Sequence, residues 1–116
     1  VGQYTGEDGV IMSTDKNLAE KARKILGGKT PITVCASGDK FVADEGEKKR
    51  LREDFNAEIC EMESAGVLIT ARNSNVPCLI IKGVSDGKGG AEEYLKMVSM
   101  ASKKCAEIVT GLCGEL

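Results

Sequence analysis

The sequence predicts an α/β domain with a largely parallel sheet covered on both faces, and three observations carry that expectation. Short, predominantly apolar runs (PITVCA at 31–36, AEIC at 57–60, CLII at 78–81) alternate with amphipathic stretches of helical length. The amphipathic stretches are punctuated by capping residues, glycine and proline where elements should begin and end. With 41% hydrophobic and 29% charged residues in 116, the chain has the composition of one modest folded domain rather than a disordered segment.

The elements follow in order. Val1 to Val10 is rich in glycine and turn formers and reads as loop. Ser13-Thr14-Asp15 precedes a helix from Asn17 to Leu26, with Leu18, Ala22, Ile25 and Leu26 on one face and Gly27-Gly28 ending it. Pro31 to Ala36, with its β-branched residues, reads as a buried strand that stops at Ser37-Gly38-Asp39. Phe41-Val42-Ala43 leads into a charged helix over Glu45 to Asp54. Ala57 to Cys60 is a second strand, and Glu63 to Asn73 a helix carrying Ala65, Leu68, Ile69 and Arg72 at helical spacing. Asn75-Val76-Pro77 turns the chain into Cys78-Leu79-Ile80-Ile81, the strongest strand signal of all. After a loop at Gly87-Lys88-Gly89-Gly90, a last helix over Ala91 to Leu112 is expected to turn Tyr94, Leu95, Val98, Ala101, Cys105, Ile108 and Val109 inward.

Composition narrows the function classes. Aromatics are 3% with no tryptophan, so the core must be aliphatic. A net charge of -2 argues against a dedicated nucleic-acid binder, and the basic cluster Lys48, Lys49, Arg50, Arg52 is bracketed by acids as on a solvated helix face. Five cysteines without a CxxC pair, and no histidine, exclude a Cys/His zinc site and any mechanism built on a histidine base; no metal is expected. Cys35, Cys60 and Cys78 lie in apolar runs, where a thiol acts as a small hydrophobe, and a reducing cytoplasmic setting is expected. No signal peptide and no membrane-spanning run is evident. Acid–base chemistry would fall to carboxylates.

In open α/β sheets ligands bind beyond the carboxyl ends of the strands. The first strand delivers Ser37, Gly38, Asp39, Phe41 and Val42 there; the second delivers Glu61, Met62 and Glu63; the third delivers Ser85 and Asp86. Carboxylates, a hydroxyl and an aromatic ring on one rim complement a ligand with vicinal hydroxyls and a flat ring. Each feature has an ordinary reading too. Acids at a helix start are favoured by the helix dipole, Asp86 before glycines is a common turn residue, and Phe41 alone fits a core. The glycines at 87–90 match neither GxxxxGK[ST] nor GxGxxG, so no phosphate loop is present.

Taken in order, S-G-D-K-F-V, C-E-M-E-S-A-G and N-V-P-C-L-I-I-K-G-V-S-D resemble the nucleoside phosphorylase/nucleosidase superfamily over roughly Ser13 to Leu112. That family includes purine nucleoside phosphorylases, uridine phosphorylases and methylthioadenosine/S-adenosylhomocysteine nucleosidases. The resemblance implies a three-layer sandwich with a mostly parallel, mixed central sheet. It implies that Glu63 accepts hydrogen bonds from ribose hydroxyls, that Met62 packs on the sugar and that Glu61 helps position it. Phe41 and Val42 would lie along a purine. Asp86, supported by Ser85, would protonate the base as the C1'–N9 bond breaks. Lys82 stands where a basic residue is common in the family and reads as structural.

Residues 1–116 match only the C-terminal portion of the family domain. The segment from Asp86 to Tyr94 is also shorter than usual, and no role is assigned to Tyr94. The expected activity is cleavage of a purine nucleoside, by hydrolysis or with phosphate as co-substrate and no other cofactor. The alternative is an inactive nucleoside-binding or regulatory module. A generic flavodoxin-like domain would require the three motifs to coincide by chance. The expected partner is a small nucleoside, with neither nucleic acid nor membrane. Self-association as a homo-oligomer, or fusion to an N-terminal half, is also expected.

Overall fold

The computed structural model describes residues 9–84 and 91–115. The expected opening loop over residues 1–8, Ser85, Asp86 and the loop at 87–90 lie outside the described residues. Six elements follow one another: α1 (Lys16–Ile25), β1 (Val34–Ser37), α2 (Glu45–Phe55), β2 (Ala57–Glu61), α3 (Ser64–Asn73) and α4 (Ala91–Glu115).

The helix boundaries follow from local chemistry. Asp15 caps α1, its carboxylate accepting from the Leu18 N–H at 2.9 Å, and Asp44 caps α2 through the Glu47 N–H at 2.9 Å. The exit of α1 needs left-handed backbone at Gly27 (φ 68°), whose N–H donates to the Lys24 carbonyl while that of Gly28 reaches Arg23. Asn56, at φ 54°, performs the same turn after α2. The basic cluster on α2 is solvated as expected: no residue of that helix is buried, and Lys48–Glu45 and Lys49–Glu53 pair along its surface.

β1 and β2 pair in parallel, with Ala36 opposite Cys60 and Ser37 opposite Glu61. The β1–α2–β2 crossover therefore sets the ends of both strands side by side. β1 is shorter at its start than the apolar run suggests. Pro31 has no N–H to contribute to a ladder, and Ile32 is exposed.

The third strand is where the structure departs from expectation. Among the described residues, 76–84 joins no ladder, and the sheet is two-stranded. A strand exists only where a neighbour presents matching N–H and C=O groups. Here the segment is held in other ways. The Cys78 carbonyl accepts from the Asp15 N–H at 2.8 Å, and Gly83 lies against α4 so closely that an added Cβ would sit 2.5 Å from Ala101 Cβ.

Among the described residues the buried apolar ones are few: Ala22 on α1, Ala57 on β2, Leu68 on α3 and Ile108 on α4. Of the residues expected on the inner side of α4, Ile108 is buried, whereas Tyr94, Leu95 and Val109 are exposed. Cys60 is exposed as well, not packed as a hydrophobe. The molecule is a plate of 43 × 41 × 21 Å with 8774 Å² of accessible surface. A compact monomer of this mass exposes about 6,100 Å² by surface scaling. The aliphatic faces are present, but much of the apolar surface remains open.

Candidate functional site

The polar centre of the molecule lies where β2 becomes α3. A helix start leaves backbone N–H groups without intrahelical partners. Glu63, the residue at the N-cap position, does not cap α3 with its side chain. That task falls to the last residue of β2. The Glu61 carboxylate accepts from the Glu63 N–H at 3.0 Å and from the Ser64 N–H at 2.9 Å. Ser37, opposite it on β1, accepts from the Ala65 N–H through Oγ at 2.9 Å. The parallel register thus builds the helix start out of two strand ends.

Lys82 closes this cluster from the other side. Its Nζ is 2.7 Å from Glu61 Oε2 and 3.5 Å from Glu63 Oε2. Partial burial alone would raise the Glu61 carboxyl. The Lys82 ammonium, the Ser37 hydroxyl and the bonds from Glu63 and Ser64 outweigh that effect and hold it well below the usual carboxylate range. The same pairing with Glu61 raises Lys82 above its ordinary value, against the opposing effect of burial. On β1, burial and then the neighbouring Glu61 charge push the Cys35 thiol up to about 11, so it stays protonated and is a poor nucleophile.

The two acids of the motif therefore differ. The Glu61 side chain is 11% exposed and its oxygens are occupied; the Glu63 side chain is 72% exposed, and its contact with Lys82 is the longer one. Beyond Glu63 runs an open groove of about 330 Å³, lined by Ser64 and Val67 of α3, Leu79 to Lys82, and Val109 of α4. An acceptor carboxylate beside an apolar wall suits a ligand with hydroxyls at one end and a flat or aliphatic body at the other.

The sequence-predicted residues separate into three sets. Glu61, Met62 and Glu63 stand together at the end of β2, with Met62 exposed beside the two acids. Phe41 and Val42 lie in the stretch between the end of β1 and α2. Phe41 is 71% exposed, so it is not the core residue its ordinary reading suggests, and it does not line the groove beside Glu63. Ser85 and Asp86 lie outside the described residues, one and two positions past Val84. Lys82 is the residue whose part sequence reasoning undervalued. The available signal was its place directly after an apolar run, on the rim that already carried two acids. Among the described residues no group of three or more Cys, Asp or Glu is placed to hold a metal ion, and no helix is long and apolar enough to cross a membrane.

A βαβ crossover with a carboxylate pair at the end of β2 defines an α/β rim, and the sequence match gives it a lineage. Residues 7–113 match the model of the phosphorylase superfamily, and the chain belongs to that family. It is 35% identical over its whole length to the aminodeoxyfutalosine nucleosidase of Campylobacter jejuni, covering 52% of that protein. It is 27% identical over 99% of its length to a 5'-methylthioadenosine/S-adenosylhomocysteine nucleosidase of Haemophilus influenzae, again covering 52% of the relative. The fold is shared with the futalosine hydrolase of Helicobacter pylori strain 26695, with a TM-score of 0.80 at 24% identity over 97% of this chain and 49% of that one. The chain spans about half the length of the relatives it matches.

Proposed function

We propose that this chain belongs to a nucleosidase that hydrolyses the N-glycosidic bond of a purine nucleoside. The observation that carries the reading is the division of labour between the two acids. Glu61 is consumed by α3 and Lys82, while Glu63 stands exposed with acceptor capacity to spare. One carboxylate can accept from both hydroxyls of a ribose, and Met62 beside it supplies an apolar surface for the sugar. Phe41 and Val42 would lie along the base. Hydrolysis is favoured over phosphorolysis because the nucleosidases match this chain across nearly its whole length.

The chemistry required is modest. As C1'–N9 breaks, its electron pair moves into the purine, and N7 takes a proton from the Asp86 carboxyl, with Ser85 in support. Water adds to the oxocarbenium-like carbon and releases a proton. The group that takes this proton would come from the portion of the domain outside residues 1–116. In this reading the chain is the C-terminal portion of one three-layer domain. The remaining portion would pack on the open apolar groove, in a cytoplasmic enzyme that can also self-associate. Its excess of roughly 2,700 Å² over a compact monomer of its mass supports that packing.

A second reading is a nucleoside-binding module without turnover. Calorimetric titration with adenosine, methylthioadenosine and inosine, each followed by an assay for free base, separates the two. Binding with release supports the enzyme, and binding without release the module. Absence of both, in this chain and in a protein carrying the complementary half, overturns the reading.

A further inference from the structure

The 76–84 segment reaches the rim without a ladder to guide it, so something else must set its position relative to β2. Two contacts do. On one side Gly83 is pressed against Ala101 of α4. On the other, the Lys82 ammonium crosses to the two carboxylates at the end of β2. Lys82 is thus the polar link, among the described residues, between the acids of the motif and the segment running toward Asp86.

We propose that Lys82 is a positioning residue, which fixes Glu61 as a strut and leaves Glu63 as the acceptor for the sugar. The assignment rests on the nucleosidase reading for the identity of the ligand, but the anchor itself does not. Two carboxylates two residues apart repel each other unless a cation is shared between them. One ammonium cannot serve both equally, and the distances of 2.7 and 3.5 Å show which acid it favours. Glu61 already accepts from two backbone N–H groups, so the third partner completes its coordination. Glu63, left with the longer contact and the Met62 N–H at 3.4 Å, both on Oε2, keeps lone pairs for hydroxyl donors. Among the described residues the titratable groups that face this cluster are few. Cys35 of β1 stays protonated, Cys60 of β2 is a neighbouring thiol, and the remaining charges are Glu61, Glu63 and Lys82 themselves.

The test combines carbon NMR titration of the glutamate carboxyls with calorimetric titration of adenosine, for the wild type, Lys82→Met, Lys82→Arg and Glu61→Gln. In the wild type, Glu61 should stay ionised well below the ordinary glutamate value of about 4.3. Lys82→Met should raise its midpoint by roughly one unit or more and weaken adenosine binding on the order of tenfold. Lys82→Arg, which keeps the charge, should restore both. Glu61→Gln should also weaken binding, since the ammonium is then free to take up Glu63; a lysine that served only stability would not produce that loss. An unchanged Glu61 midpoint in Lys82→Met overturns the anchor. A shifted midpoint with unchanged affinity overturns the positioning role. If the wild type, alone and in a protein carrying the complementary half, binds none of adenosine, methylthioadenosine and inosine, the nucleosidase reading fails on that ground, and the carboxyl titration decides the anchor separately.

Discussion

At the junction of β2 and α3, the N–H groups of Glu63, Ser64 and Ala65 all find side-chain acceptors within a short stretch of structure. Along 76–84 and the outer side of α4 the situation is reversed. Val76, Val84, Leu95, Met100 and Val109 meet solvent, and the segment has no strand beside it among the described residues. The first region shows what a chain can complete with its own neighbours: polar groups need partners a few ångströms away. The second shows what it cannot. Covering apolar surface takes area, and a plate 21 Å thick has too little interior to supply it.

The largest expected effect tests the polar side of this comparison. Glu63→Ala should cost about 3 kcal/mol of nucleoside affinity, roughly a hundredfold in Kd, because two hydrogen bonds to one charged acceptor disappear together. Calorimetry reads it directly, and a loss under about threefold would remove Glu63 from the ligand site.

The apolar side is tested by two adjacent residues of α3. Leu68 is 7% exposed and Val67 53%. Leu68→Ala should cost about 2–3 kcal/mol in urea unfolding, near the lower end for a core leucine because the surroundings are loosely packed. Val67→Ala should cost about 0.5 kcal/mol or less. Equal costs would mean that Val67 is covered in solution, by a partner or by a second copy.

Removing the α1 cap should matter less. Asp15→Ala forfeits the bond from the Leu18 N–H and should lower stability by about 1 kcal/mol in the same assay.

Acid offers a further way to sharpen the contrast, since it acts on the polar junction and leaves the apolar face unaltered. The folded Glu61 carboxyl is held below its unfolded value, so its contribution is present above the ordinary carboxylate range and is lost as pH falls toward the folded value. Lys82 is raised, so its contribution holds below its unfolded value and is lost as pH climbs past it. The stability curve should therefore fall at both extremes. Lys82→Met should flatten the acid limb, which thermal unfolding across pH would show. The smallest effect is expected at the α2 surface, where Lys49→Ala should change stability by less than about 0.5 kcal/mol.

How much of this was legible in the sequence follows the same division. The cap at Asp15, the glycine exit of α1 and the placing of Glu61 to Glu63 at a strand-to-helix junction all rest on short-range chemistry, and pattern finds them. The match of three ordered motifs to the phosphorylase superfamily was legible too. Hydrophobic periodicity, by contrast, reports that a face is apolar and not what covers it. That is why Tyr94, Leu95 and Val109 were expected inside and lie outside, and why Cys78 to Ile81 read as a strand without forming one. Lys82 was read as structural but its partners were not identified, for a related reason. Its partners are about twenty residues away in sequence, a separation that no local rule spans.

The capping of α3 by a strand residue has a kinetic consequence. Amides in the first turn of a helix ordinarily lose their protons to solvent quickly, because nothing within the helix holds them. Those of Ser64 and Ala65 are bonded to Glu61 and Ser37 instead. They should exchange with heavy water at the pace of a helix interior, making this rim the slowest clock among the loops of the molecule.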